Sequence, residues 1–226
     1  MKIFIIAITL LVSACALVQR PPLEYLPGAV VETLSADVSL SVTNGDHGMG
    51  ANGMLLYRRP DRMRMVILSP FGTTVMDVFV SGDSITIVDS SKGEAYSGLI
   101  SELPTGVEGD TWRLIRWVLD VDPPGGAVRN GGLVRKNSQG IWERVEFRDG
   151  LLVEKSLPGG DEIQYNDYVA VHGVPLATEI IMENKAGARF RVKINDPEVN
   201  TELDPNAFTP RLDGLTLLPL AALKGR

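Results

Sequence analysis

Apolar and polar residues alternate along most of the chain. Val38, Leu40 and Val42 point one way while Asp37, Ser39, Ser41 and Thr43 point the other, the period of a strand with one wet face. The same test marks Met54 to Arg58, Arg62 to Leu68, Thr74 to Val80, Ser84 to Val88, Leu133 to Lys136, Ile141 to Phe147, Leu151 to Ser156, Ile163 to Asn166, Leu176 to Glu183 and Arg189 to Asn195. Turn signals separate them: Arg59-Pro60-Asp61, Ser81-Gly82-Asp83, Asn137-Ser138-Gln139-Gly140, Asp149-Gly150, Pro158-Gly159-Gly160-Asp161 and Asn184-Lys185-Ala186-Gly187. Short connections imply antiparallel neighbours, so the pattern predicts a mainly β (α+β) meander of about ten strands.

One stretch has helical spacing. From Thr111 to Leu119 the residues Trp112, Ile115, Val118 and Leu119 form a stripe, with Arg113 and Arg116 opposite. Asp110 or Thr111 caps its start, and Pro123-Pro124-Gly125-Gly126 ends it. A single helix inside a meander has to lay its apolar stripe on the sheet. A weaker helix is predicted over Leu23 to Leu34, and one more turn over Gly98 to Leu103. No repeat or low-complexity tract divides the chain, so residues 28–211 read as one domain.

The amino terminus carries Lys2, an apolar run from Ile3 to Val12, and then Ser13, Ala14 and Cys15. The run is far below the roughly 20 residues that span a bilayer and has the form of an export signal. Val12-Ser13-Ala14-Cys15 resembles the bacterial lipobox, which makes residues 1–14 a signal peptide and Cys15 the lipidated first residue of the mature chain. The proline-rich stretch up to Pro27 then acts as a tether. Cys15 is the single cysteine, so no disulfide forms within the chain. A net charge of −6 offers no basic surface for nucleic acid. No later segment reaches spanning length, which leaves the acyl chains as the hold on the membrane.

Catalytic chemistry finds little material here. His47 and His172 each sit beside glycine in a loop and lack metal-ligand spacing. No Gly-x-Ser-x-Gly elbow and no glycine-rich phosphate loop occurs. Asp120 and Asp122 stand just after the helix and before two prolines, where acidic residues face solvent. No catalytic residue, metal or cofactor is assigned. The unusual feature is the turn Ser69-Pro70-Phe71-Gly72 between two apolar strands, with an aromatic residue where turns carry polar ones. Phe71 either projects from the tip or tucks under the sheet as a core plug.

Leu68-Ser69-Pro70-Phe71-Gly72-Thr73-Thr74, then Gly82 to Asp89, Lys92-Gly93-Glu94-Ala95-Tyr96 and Arg116-Trp117-Val118-Leu119 together resemble, in content and order, the outer-membrane lipoprotein receptor family LolB. Val199 to Pro205, with Phe208-Thr209-Pro210, resembles the closing strand of the wider LolA/LolB superfamily. The resemblance implies a curved antiparallel sheet, an open half-barrel under a helical lid, whose hollow takes lipoprotein acyl chains from a periplasmic LolA-like carrier. Such chains need an escort, because three chains of roughly fifteen methylenes at ~0.8 kcal/mol each expose on the order of 35 kcal/mol to water. It further implies a membrane-inserting loop at Ser69, Pro70, Phe71 and Gly72, and lid or cavity residues at Trp112, Ile115, Trp117, Val118 and Leu119. The implied protein is a monomer on the periplasmic face of the outer membrane. Ala16 agrees with that address, since it is not the aspartate that retains lipoproteins at the inner membrane of enteric bacteria. A different use of the same fold is a sensory or envelope-assembly lipoprotein that binds a protein partner. Residues 212–226 extend beyond the expected last strand, either as a docked or disordered terminus or as a further membrane or partner contact.

Overall fold

The computed structural model describes residues 23–104, 114, 117, 118, 121, 130–137 and 139–223. Its strands are β1 (Thr33–Asn44), β2 (His47–Arg58), β3 (Arg62–Leu68), β4 (Thr74–Ser81), β5 (Ser84–Asp89), β6 (Glu94–Leu99), β7 (Gly131–Lys136), β8 (Trp142–Arg148), β9 (Leu151–Ser156), β10 (Glu162–Val171), β11 (Val174–Glu183), β12 (Arg189–Val199) and β13 (Thr216–Pro219). All thirteen belong to one sheet, in the order β13-β6-β5-β4-β3-β2-β1-β12-β11-β10-β9-β8-β7. Every pairing is antiparallel except that of β13 on β6. β13 and β7 are the two edges and do not meet, so the sheet is open.

Thirteen strands replace the ten or so expected, chiefly because β6 and β13 carry little alternation of their own. β6 is recruited by β5 through Ile87↔Tyr96 and Val88↔Ala95, and β13 by β6 through Leu217↔Ala95. β2 also starts earlier than Met54, since its polar and glycine-rich first half pairs with β1 from Asn44↔His47 onward. Gly53 in that stretch has a steric reason, because a Cβ there would lie 2.1 Å from the Val66 carbonyl oxygen on β3.

The helix expected over Leu23 to Leu34 does not form. Pro27-Gly28 breaks it, with Gly28 at φ +79, and β1 already begins at Thr33. The Asn200 side chain holds the segment extended: its Oδ1 accepts from Glu32 N at 2.7 Å and its Nδ2 donates to Val30 O at 3.0 Å. The turn expected near Gly98 to Leu103 is the 3-10 helix η1 (Ile100–Glu102). Of the helix expected over Thr111 to Leu119, Leu114, Trp117 and Val118 are described and have helical backbone. Trp112, Ile115, Leu119, Asp120, Asp122 and the lipobox with Cys15 lie outside the described residues.

The inner face of the sheet buries Leu34 and Val38 of β1, Leu55 and Tyr57 of β2, Met63 and Met65 of β3, Val78 and Val80 of β4, Ile85 and Ile87 of β5 and Ile194 of β12 in one cluster. A second cluster joins Trp117 and Val118 to Val145, Phe147, Leu152, Ile163 and Tyr165 on β8 to β10. The outer face is covered differently. Val199 to Pro205 is not the closing strand, because β12 ends at Val199 and Asn200 turns at φ +59. Two arginines then hold the departing chain. Arg58 Nη2 donates to Leu203 O at 2.7 Å and lies over the Phe208 ring. Arg64 donates to both Asp77 oxygens, at 3.0 and 2.8 Å, and to Ala207 O at 3.2 Å. Leu212 and Leu215 pack on Phe79, Val88 and Ala95. The chain next adds β13 to the sheet edge and enters the helical turn η2 (Leu220–Ala222), which delivers Leu220 to the inner core at 1% exposure. Residues 212–223 of the stretch set apart as a tail are thus docked on both faces. Leu220→Ala is expected to cost about 3 kcal/mol in a urea melt, and an unchanged midpoint would mean that η2 is not part of the cooperative core.

Candidate functional site

The apolar inner face does not fill completely. Across β2, β1, β12, β11 and β10 it leaves a hollow of about 120 Å³, walled by Leu55, Tyr57, Leu34, Ile194, Leu176 and Tyr165. Two pieces of chain cover it, Ala29 to Val31 from the amino-terminal segment and Val118 with Val121 from the other side. Ligand cavities in proteins run from about 300 Å³ upward, so with its covers in place the hollow is small for a ligand.

The cover at Trp117 and Val118 is pinned by polar side chains rising from the sheet. Trp117 Nε1 donates to Glu143 Oε2 at 2.6 Å, Lys155 Nζ donates to Trp117 O at 2.9 Å, and the Tyr165 hydroxyl donates to Val118 O at 2.9 Å. Glu143 also accepts from Arg135 Nε at 2.8 Å. Glu143 and Lys155 are 1% and 0% exposed, so these bonds lie in low dielectric, where breaking one leaves a stranded polar group. The sequence held one signal for this arrangement, since Glu143 shares strand parity with the core residues Val145 and Phe147. Lys155 had none. A register shift opposite Glu146 and Phe147 makes Val153 an extra residue, and the reversed parity turns Lys155 inward.

Of the other residues singled out, Trp142 is exposed on β8 beneath the Lys136 ammonium. His47 pairs with Asn44 at the start of β2, and His172 occupies the turn between β10 and β11 at φ +51. They lie on opposite ends of the sheet and form no common site.

Phe71 is 93% exposed and therefore not a core plug. The turn that carries it is tied from within by Ser69. Ser69 Oγ accepts from Phe71 N at 3.2 Å and from Thr73 N at 3.3 Å, and it shares a 2.8 Å bond with Thr73 Oγ1. Gly72 N donates to Ser69 O at 2.9 Å and Ser69 N to Thr73 O at 2.8 Å. Pro70 has no N–H to give. Every backbone donor from Ser69 to Thr73 is thus satisfied locally, with Gly72 at φ +79 completing the reversal. The β1–β2 hairpin ends on this side of the sheet too and shows Met49 at 70% exposure.

Comparison with known proteins places these features. The family profile described as outer membrane lipoprotein LolB matches residues 32–196. No curated protein matches the chain by sequence. Among solved structures, a DUF1329 family protein from Desulfovibrio piger aligns with TM-score 0.61 at 10% identity, over 79% of this chain and 90% of its own. A LolA superfamily protein from Nitrosomonas europaea gives TM-score 0.56 at 15% identity, over 82% and 92%. A domain from Vibrio parahaemolyticus assigned to outer-membrane lipoprotein sorting gives 0.53 at 11%, over 78% and 89%. At such identities the structures share the fold alone.

The polar pins under Trp117 are open to direct test. Glu143→Ala should cost about 3 kcal/mol, because Trp117 loses a buried acceptor and Arg135 loses one of its partners, whereas Glu143→Gln keeps an acceptor oxygen and should cost about half of that. Urea melts followed by tryptophan emission check both, and an Ala variant as stable as the unsubstituted chain would mean that Glu143 does not hold the cover.

Proposed function

Because the chain belongs to the LolB family, we propose that it binds the acyl chains of lipoproteins delivered by a periplasmic LolA-like carrier and inserts them into the outer membrane. The covered apolar hollow is the observation that carries this reading. Its walls are aliphatic and aromatic, the surface a methylene chain needs. At about 120 Å³ it admits a chain only once Ala29 to Val31 or Val118 moves aside. Cargo thereby replaces chain segments that already bury the same face, so neither state exposes the sheet to water.

In this reading Cys15 carries the lipid that holds the protein at the membrane, and Phe71 touches the bilayer during release. An exposed phenyl ring contributes about 2 kcal/mol by area, enough for a brief contact. The internally bonded turn adds a second reason. Backbone N–H groups without partners cost several kcal/mol each in hydrocarbon, and the turn from Ser69 to Thr73 has none to bring. The amino-terminal segment lies at the other end of the sheet, where Tyr25 donates to Asp149 O and Leu26 N to Gly173 O. A fully extended tether over residues 15–22 reaches at most about 28 Å, more than the roughly 23 Å that β3 spans, so an anchor at Cys15 does not keep the Phe71 tip from the bilayer.

Phe71→Glu should leave the melting midpoint unchanged and slow transfer of a bound lipopeptide into liposomes, since a charge at the tip opposes insertion. Phe71→Leu should transfer normally. Ser69→Ala frees two backbone donors and should fall between the two. Transfer by Phe71→Glu at the unsubstituted rate, with folding intact, would remove the turn from the mechanism.

A further inference from the structure

Strands β9 and β10 pair at one end only. Ser156, Lys155 and Glu154 face Glu162, Ile163 and Gln164, and there the ladder stops, although β9 runs on to Leu151 and β10 to Val171. Two irregularities coincide at the split. Val153 is the extra residue of the register shift against β8. On β10, Asp167 holds φ +51, an uncommon conformation for a side-chain-bearing residue, and its carbonyl accepts from Thr178 Oγ1 at 2.6 Å. Distortions of this kind bend a strand out of its ladder and recur beside functional sites.

The split opens a slot of about 380 Å³, larger than the hollow itself. Its lining mixes polar side chains, Arg148, Glu154, Gln164 and Asn166, with the apolar Leu151 and Val153. Tyr165 and Tyr168 line the slot and the apolar hollow alike, so the two spaces share a wall of two side chains. Tyr168 crosses the gap by donating its hydroxyl to Leu152 O at 2.6 Å. Burial pushes its phenol above the ordinary tyrosine value, so it stays a donor at neutral pH.

We propose that the split between β9 and β10 is a lateral portal through which an acyl chain of a lipidated protein passes into the hollow, with Tyr168 as its bar. The proposal rests on the acyl-chain reading of the hollow. The surfaces fit an amphiphile: polar side chains in the slot for the glycerol esters and peptide, then the tyrosine wall, then the aliphatic walls of the hollow for the methylenes. Rotation of Tyr168 breaks one hydrogen bond and withdraws one of the two side chains of the shared wall, whereas passage past Val118 breaks the buried bonds at Glu143, Lys155 and Tyr165. The amino-terminal segment lies at the portal as well, with Leu23 and Tyr25 on the slot and Ala29 to Val31 on the hollow.

The test uses the full chain carrying Cys15→Ala and a synthetic diacylglyceryl-cysteine peptide whose acyl chain ends in an environment-sensitive fluorophore, mixed in a stopped-flow instrument. Tyr168→Phe removes the bar's hydrogen bond and keeps its ring, so uptake and release should both quicken by roughly five-fold. Val153→Trp fills the slot, and a chain forced past the indole meets overpacking worth on the order of ten-fold or more in rate. Should Val153→Trp fail to fold, Val153→Ala widens the slot and should speed uptake. No uptake by the chain without these slot substitutions overturns the acyl-chain reading together with the portal. Normal uptake whose rate is the same in all the slot variants overturns the portal and leaves the hollow standing.

Discussion

An open sheet that turns its apolar rows to one side has to cover that side with its own chain, and the rest of this structure follows from that constraint. A closed barrel would bury the same residues inside a continuous ladder. Here β13 and β7 stay apart, and the cover is assembled from pieces: Ala29 to Val31, Trp117 with Val118, and Leu220. The first two are held by a few named bonds instead of a ladder, such as Asn200 to Val30 or Tyr165 to Val118, and Leu220 follows directly on β13. Covers of this kind bury part of the apolar face and can still be exchanged for another apolar occupant. The outer face shows the contrast, for there the chain from Leu203 to Leu215 is clamped by arginines and packs on a small cluster.

The two ends of the sheet have different chemistry. One carries Phe71 in the open, on a turn whose backbone donors are already used, and Met49 near the tip of the β1–β2 hairpin. The other receives the amino-terminal segment and the splayed halves of β9 and β10. In the proposed reading this separates loading from release, with cargo admitted away from the bilayer-touching tip. Weak affinity at the tip suits that division, since a strong membrane contact would compete with the anchor and hold the domain against the lipid.

Alternation made most of the sheet legible in the sequence, because strands such as Arg62–Leu68 and Trp142–Arg148 bury one face and leave the other more exposed. It failed where pairing came from a neighbour instead of the strand's own pattern, as in the glycine-rich half of β2, in β6 and in β13. The false helix before β1 had helical spacing, but an asparagine 168 residues away from Glu32 competed for its backbone. Phe71 was recognisable as an oddity of composition, and its exposure required the Ser69 bonds that only the folded turn displays. The buried charges were partly hidden by a single extra residue. Glu143 could be found by counting from Val145, whereas Lys155 appears on the inside only once Val153 is seen to break the count.

The central claim is that the inner face, and not the outer one, receives acyl chains. Methyl-resolved NMR of the isotope-labelled chain, titrated with a diacylglyceryl-cysteine peptide, reads this residue by residue. The account predicts saturable shifts at Leu34, Leu55, Leu176, Ile180 and Ile194, the walls of the hollow, with Val88, Leu212 and Leu215 on the outer face unmoved. Shifts confined to the outer cluster, or none at saturating peptide, would contradict it.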